Sequence, residues 1–278
     1  MSELSNGRTR SARYLRRLAA TALCFGVFGA GCLLFALLVV PATRLPRARA
    51  RQERVRRALG GAMRWFVRLM RSVGVLSYEL EGVETLGRPG QLILANHPTL
   101  IDVVFLLGFA PGANCIVKQQ LWLNPLTRRC VAAAGYLSNS PTDRMIEGAA
   151  DALRGGQSVI IFPEGTRTVP GRLLEFHRGA AAIAVRAAAV VTPVYIHCNP
   201  PTLAKGDPWY RIPAQRAHFS LRTGADIDPE PFRRNAPAPL AARALNAELL
   251  GIFRTQCTAG GRVGPSMLNT TARGDGAS

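Results

Sequence analysis

The sequence predicts an α/β fold: a mostly parallel central sheet flanked by helices, with an N-terminal membrane-associated helical segment ahead of it. Three observations carry this reading. From residue 76 onwards, short aliphatic runs bounded by Gly, Pro and polar residues alternate with helical patterns, the order that yields parallel strands joined by helices. The two stretches richest in reactive side chains each follow such a run directly, and sites in these folds gather beyond the carboxyl ends of strands. Before residue 76, the run Ala19 to Val40 carries no charge and is long enough to cross a bilayer core of about 30 Å.

In chain order, residues 1–18 form a basic segment with Arg8, Arg10, Arg13, Arg16 and Arg17. Residues 19–75 read as a membrane anchor followed by an amphipathic helix. A cleaved signal peptide is the alternative for the apolar run, but the run exceeds a typical signal core. It also leads straight into Arg44, Arg47, Arg49, Arg51, Arg54, Arg56 and Arg57, a poor start for an exported chain. This larger arginine cluster favours a cytoplasmic catalytic domain, although both flanks are positive. Gly26, Gly29 and Gly31 permit a broken or re-entrant helix. From about Arg56 to Val75, Leu59, Met63, Phe66, Val67, Met70 and Val73 recur at helical spacing, with Arg57, Arg64, Arg68 and Arg71 elsewhere on the wheel. That pattern suits a helix on a membrane surface with arginines reaching lipid phosphates; a core-packing helix is the alternative.

Residues 76–257 form the predicted catalytic domain. Its strands are Leu76–Glu81, Gln91–Ala95, Cys115–Val117, Tyr136–Ser138, Ser158–Phe162, Val190–Ile196 and Ala217–Arg222. Its helices are Thr99–Phe109, Asn124–Ala134, Asp143–Gly155, Arg178–Ala188 and Pro239–Arg254. Pro200 to Pro213 is a proline-rich loop, and residues 258–278, small and polar, form a predicted disordered tail.

The chemistry begins at Asn96-His97-Pro98-Thr99-Leu100-Ile101-Asp102, on the turn between the second strand and the next helix. Pro98 suits the first position of a helix. With His97 at the cap and Asp102 one turn in, the carboxylate can hold one ring nitrogen and leave the other as a base for a hydroxyl. A buried histidine beside an unrelated cap is the alternative. The second stretch is Phe162-Pro163-Glu164-Gly165-Thr166-Arg167, again after a strand. Alone it reads as a surface turn capped by an arginine. Val103 to Leu107 read as ordinary core, with the wall of an apolar channel as the alternative.

Together, Asn-His-Pro-Thr-Leu-Ile-Asp and Phe-Pro-Glu-Gly-Thr-Arg, in this order, resemble the glycerolipid acyltransferases, the family of lysophosphatidic acid (1-acyl-sn-glycerol-3-phosphate) acyltransferases. Lys118-x-x-Leu121-x-x-x-Pro125 with Gly135, and Thr192-Pro193-Val194, resemble two further blocks of that family, and the likeness spans about residues 75–225. It implies His97 as base and Asp102 as its orienter. It also implies that Glu164, Gly165, Thr166 and Arg167 grip the acceptor's polar head, with Lys118 assisting. One departure stands out: serine occupies position 140, where the family's arginine is expected.

A formal net charge of +18 calls for a polyanionic partner. No zinc-finger spacing or RNA-binding signature appears, and aromatic residues make up only 7%. Anionic membrane lipids therefore fit better than nucleic acid. Six scattered cysteines without a Cys-x-x-Cys pair point to a reducing compartment rather than to disulfides or a metal site. No cofactor is expected. The donor is a thioester, acyl-CoA or acyl-carrier protein, and the resemblance implies transfer to the hydroxyl of a lysophospholipid, 1-acyl-glycerol-3-phosphate foremost. The absence of a Gly-x-Ser-x-Gly elbow favours direct transfer without an acyl-enzyme. The alternatives are a phosphate-free lipid acceptor, such as an amino-lipid or polyene lipid, and a catalytically silent lipid-binding protein. The implied location is a bacterial inner membrane.

Overall fold

A computed structural model describes residues 2–42, 48–169 and 171–260. Helix α1 (Ser2–Leu34) continues through a wider π-type turn, Phe35–Val39, into Val40–Ala42. Helix α2 (Ala48–Ser72) leads to strand β1 (Leu76–Glu81) and then β2 (Gln91–Ala95). There follow α3 (Asp102–Phe109), β3 (Asn114–Val117), α4 (Gln119–Leu123), α5 (Arg128–Ala134), β4 (Leu137–Ser138) and α6 (Thr142–Arg154). The chain closes with β5 (Val159–Ile161), α7 (Gly179–Ala187), β6 (Val190–Asn199), β7 (Ala217–Thr223), α8 (Glu230–Asn235) and α9 (Ala238–Gly260). Arg44, Arg47 and the predicted tail from 261 lie outside the described residues.

The seven strands form one sheet in the order β1-β7-β6-β2-β5-β3-β4. All neighbours are parallel except β6 and β7, which run antiparallel. Strand β2 lies at the centre between β5 and β6, with Leu94 beside Ile161 and Pro193. All five of its residues are buried, and they alternate between two cores. Ile93 and Ala95 join the layer of α2 and α3, whereas Leu92 and Leu94 join that of α6, α7 and α9, as the two-residue period of a strand requires. A strand enclosed on both faces reads as an unbroken apolar run, which is why its limits match the sequence reading.

The limits of β3 to β7 shift by one to three residues, α8 falls in a stretch without a predicted element, and three helix boundaries differ for identifiable reasons. The helix after His97 starts at Asp102 rather than Thr99, so Pro98 lies in the preceding turn and not at the first helical position. There the Thr99 N–H and hydroxyl both donate to Asp102, drawing the chain into a tight turn before the helix begins. The single helix expected over 124–134 is split into α4 and α5; Asn124, in extended conformation, precedes Pro125, whose ring disfavours a helical predecessor. The last helix runs on to Gly260, beyond the expected start of the tail at 258.

Helix α2 also differs in its surroundings. Its apolar stripe, expected on a membrane surface, buries Val55, Leu59, Phe66, Val67 and Met70 in the core shared with α3. Two of its arginines serve the protein rather than lipid. Arg56, itself buried, donates to the carbonyls of Gly112 and Ala134 at 2.9 Å each. Arg64 donates to Gly108 at the end of α3 at 2.8 Å, which suits the negative pole of that helix. Helix α1 lies alongside α2, α5 and the 200–213 loop. Arg17 bonds the Ala214 carbonyl, Phe25 meets Trp209 at 5.6 Å, Phe28 meets Phe66 at 5.5 Å, and Cys130 reaches the Cys32 carbonyl. All six cysteines are free.

Helices α2 and α3 approach closely at a glycine. A methyl group at Gly60 would stand 2.8 Å from the Leu107 carbonyl oxygen. Replacing a helical glycine by alanine ordinarily stabilises by roughly 0.5–1 kcal/mol. Here overpacking against rigid backbone, at about 1–3 kcal/mol, is the larger effect. Gly60→Ala is therefore expected to lower stability in chemical denaturation, whereas Gly61→Ala, with open space around the added carbon, should not.

Candidate active site

The site is built at the carboxyl end of β2. Asn96 ends the strand with a side-chain bridge: its amide donates to the Ile196 carbonyl at 2.7 Å and accepts from the Ile196 N–H at 2.8 Å. This carries the pairing with β6 one residue further by side chain while the backbone turns away. His97 follows. Its Nδ1 lies 2.9 Å from Asp102 Oδ2, and its ring stacks on Phe162 with centroids 4.2 Å apart.

Asp102 is fully buried. Besides His97 it accepts from the Thr99 N–H at 2.6 Å and the Thr99 hydroxyl at 2.5 Å. Burial pushes its pKa up, and the hydrogen bonds from His97 and Thr99 work against that rise. With Nδ1 donating to the carboxylate, the neutral ring has Nε2 as its acceptor. The His97 side chain retains 16% exposure against none for Asp102, so the pair is a buried anchor with a reachable base.

The second motif is locked to the first through backbone. Glu164 Oε1 accepts the His97 N–H at 2.9 Å and the Thr168 hydroxyl at 2.8 Å, while the Thr168 N–H donates to the His97 carbonyl at 2.7 Å. Glu164 is buried, and burial raises its pKa. Gly165 turns the chain with a left-handed φ of 63°. A methyl group there would meet the His177 ring at 3.0 Å, so the turn needs glycine twice over. Arg167 donates from Nη1 to the carbonyls of Leu203 and Ala204, both at 2.8 Å. Leu203 also accepts the Leu100 N–H at 3.1 Å and is the one non-glycine residue with positive φ, 51°, among the described residues.

Of the residues singled out in the sequence, His97, Asp102, Glu164, Gly165 and Arg167 thus belong to one network, with Thr166 half-buried in its turn. Glu164 holds His97, and Arg167 holds the 200–213 loop through Nη1. Lys118 lies exposed at the end of β3, outside the network. Ser140 follows β4 and, among the described residues, exchanges hydrogen bonds with Ser138 alone, three strands from β2 in the sheet. Asn96, Thr99, Phe162 and Thr168 were not singled out by sequence reasoning. Three of them lie inside the quoted motifs, but their roles depend on partners that spacing does not reveal.

Beside this network lies an apolar cavity of about 310 Å³. Leu100 and Ile101 of the turn line it together with Met63 and Phe66 of α2, Phe25 of α1 and Trp209 of the 200–213 loop. The stretch Val103 to Leu107 divides: Val103, Val104 and Leu107 line the cavity, while Phe105 and Leu106 are core.

Comparison with known proteins agrees with the resemblance that the two motifs carry. Residues 77–197 match the acyltransferase family model. The chain is 28% identical over 137 residues to a 1-acyl-sn-glycerol-3-phosphate acyltransferase of Pseudomonas aeruginosa, covering 47% of this chain and 53% of that protein. It is 30% identical over 112 residues to the enzyme of the same name from Cocos nucifera, covering 38% of this chain and 36% of the relative. The chain thus spans about half or less of the length of these curated relatives. The crystal structure of the 1-acyl-sn-glycerophosphate (LPA) acyltransferase PlsC from Thermotoga maritima shares the fold, with a TM-score of 0.68 and 20% identity over 92% of this chain and all of that one.

The lock between the motifs generates a direct test. Glu164→Ala leaves the part-buried His97 N–H without its acceptor and is expected to destabilise the chain by about 1–3 kcal/mol in chemical denaturation. Glu164→Gln, which keeps an acceptor oxygen there, should retain most of that stability.

Proposed function

With residues 77–197 matching the acyltransferase family model, we propose that this chain is a membrane-bound O-acyltransferase moving a fatty acyl group from a thioester to a lipid hydroxyl. The observation that carries the reading is the His97–Asp102 pair at 2.9 Å, with its base partly exposed beside an apolar cavity of about 310 Å³. A cavity of that size suits a hydrocarbon chain, and an imidazole held through Nδ1 suits a hydroxyl.

In the reaction, His97 Nε2 takes the proton of the acceptor hydroxyl as its oxygen attacks the thioester carbonyl. The tetrahedral intermediate collapses with cleavage of the C–S bond, and the imidazolium returns the proton to the leaving thiolate. Asp102 stabilises the imidazolium and fixes the tautomer without itself becoming protonated. The donor is acyl-CoA or acyl-carrier protein, and no other cofactor takes part.

For the acceptor, the names of the relatives favour 1-acyl-glycerol-3-phosphate, with Arg167 forking to its phosphate and Glu164, Gly165 and Thr166 shaping the turn that holds it. Lys118 adds charge at the rim. A phosphate-free acceptor, such as an amino-lipid or polyene lipid, is the second reading. It is favoured by Ser140 in the place of the expected arginine and by the two carbonyls that already engage Arg167. A silent lipid-binding protein is disfavoured by the intact base and orienter.

The domain plan goes with this: basic residues 1–18, membrane segment 19–75, and catalytic domain 76–257. The stretch Ala12–Val39 is long and apolar enough to cross a membrane. However, its contacts with the catalytic layers run from Arg17 to Cys32, roughly 23 Å of helix at 1.5 Å per residue. A helix held at both ends of that length favours lying in one leaflet over spanning, with exposed Leu23, Leu33, Leu34, Leu37 and Leu38 in the hydrocarbon. The net charge of +18 favours anionic lipids around it. A bacterial inner membrane with the catalytic domain on its cytoplasmic side fits this arrangement.

The roles of base and orienter are open to measurement. His97→Ala and Asp102→Asn are each expected to lower kcat by about 10²–10⁴-fold with circular dichroism unchanged; near-normal turnover by folded His97→Ala would sink the mechanism. For the acceptor, Arg167→Lys should weaken use of lysophosphatidic acid about tenfold to a hundredfold, because lysine cannot form the planar fork, and Ser140→Arg should improve it. Steady-state kinetics on lysophosphatidic acid and on a phosphate-free lipid alcohol separate the two acceptor readings. A wild-type enzyme that ignores lysophosphatidic acid decides for the second.

A further inference from the structure

The wall of the apolar cavity carries one buried polar group without a hydrogen-bond partner among the described residues. Tyr136 lines the cavity with Val117, Cys130 and Val131 and is only 5% exposed. Its phenolic oxygen has no hydrogen-bond partner among the described residues. Burial pushes its pKa well above the usual tyrosine range, so the group is a neutral hydroxyl, able to donate and accept. Arg56, the nearby cation, directs two of its donors to the Gly112 and Ala134 carbonyls. A buried hydroxyl without a partner is a net cost that phenylalanine, of nearly the same shape, would avoid.

The position of Tyr136 says which part of a ligand it meets. It immediately precedes β4, and the order β2-β5-β3-β4 sets β4 three strands from β2, roughly 14 Å across the sheet. Leu100 and Ile101, next to the His97 turn, line the cavity between the β4 side and Leu76, Ala217 and Phe219 on β1 and β7. A chain whose carbonyl lies at His97 and that runs towards β4 brings its distal end, not its first carbons, to the phenol.

We propose that Tyr136 is a specificity-determining residue: its hydroxyl bonds an oxygen near the ω end of the acyl chain, so the cavity selects an ω-oxygenated fatty acyl group over a plain hydrocarbon one. This rests on the acyl-transfer reading above and deepens it by naming the donor class. The selection works in both directions, because a plain chain leaves the phenol unpaired while an oxygenated chain pairs it and shields its own polar end from hydrocarbon.

The test uses the full chain in detergent micelles with dodecanoyl-, tetradecanoyl- and hexadecanoyl-CoA, each beside its ω-hydroxy counterpart, and the acceptor the wild type uses. At the best-fitting length, kcat/KM is expected to favour the ω-hydroxy thioester by about tenfold or more. Tyr136→Phe should abolish that preference, raise use of the plain thioester, and melt no lower than wild type. The inference is overturned if wild type uses plain thioesters equally well at every length, or if Tyr136→Phe keeps the preference. If wild type transfers neither kind of chain to any lipid hydroxyl, the acyl-transfer reading fails instead. Thermal shifts with the corresponding free fatty acids then decide on the cavity. A larger shift with the ω-hydroxy acid, lost in Tyr136→Phe, upholds the selectivity, and equal shifts overturn it.

Discussion

The organisation of the site depends on the backbone lock at His97. Its N–H and carbonyl are both committed to the second motif, to Glu164 at 2.9 Å and to Thr168 at 2.7 Å. Two loops that leave neighbouring parallel strands are thereby made one body. A histidine on a free loop would sample many positions, each a loss of alignment, whereas this one is fixed at its main chain, its Nδ1 and its ring face. The last of these is Phe162, which belongs to the same loop as Glu164, so the second motif supports the base on two sides. Fixing the supports rather than the reacting group itself leaves Nε2 uncommitted, which is the arrangement that preorganised acid–base chemistry needs.

Asp102 makes the same point in electrostatic terms. A carboxylate without exposure is unfavourable unless its oxygens are paired, and here three donors converge on it. Thr99 supplies two of them from three residues earlier, and this local ring postpones the helix to Asp102. The delayed helix start is therefore a consequence of stabilising the buried charge.

Much of this was legible in the sequence. β1 and β2 match their predicted limits because their hydrophobic pattern alone sets their burial. The pairing of His97 with Asp102 was legible because both partners lie within one turn of chain. What was not legible depends on partners distant in sequence. The stripe on α2 has the same periodicity whether it faces lipid or protein, and only the position of α3 decides. Arg64 and Arg167 look alike on paper as free cations, yet both are occupied by carbonyls of other segments. A fork of donors satisfies a backbone carbonyl as readily as a phosphate, and spacing cannot distinguish them. Glu164 likewise reads as an exposed turn residue until the His97 N–H is seen to need an acceptor.

The reversal of β7 has a consequence for how the chain is made. Because β6 and β7 are antiparallel neighbours, the segment joining them stays at one end of the sheet, where Trp209 and Ala214 meet α1. The Arg17 contact closes a separation of 197 residues. At roughly 5–20 residues per second, ribosomes take about ten seconds or longer to supply its second half. During that interval the apolar side of α1 has Phe66 of α2 and then Cys130 as partners, but not Trp209. The packing of α1 is therefore completed last, by the segment between β6 and β7, against a helix pair formed early in the chain.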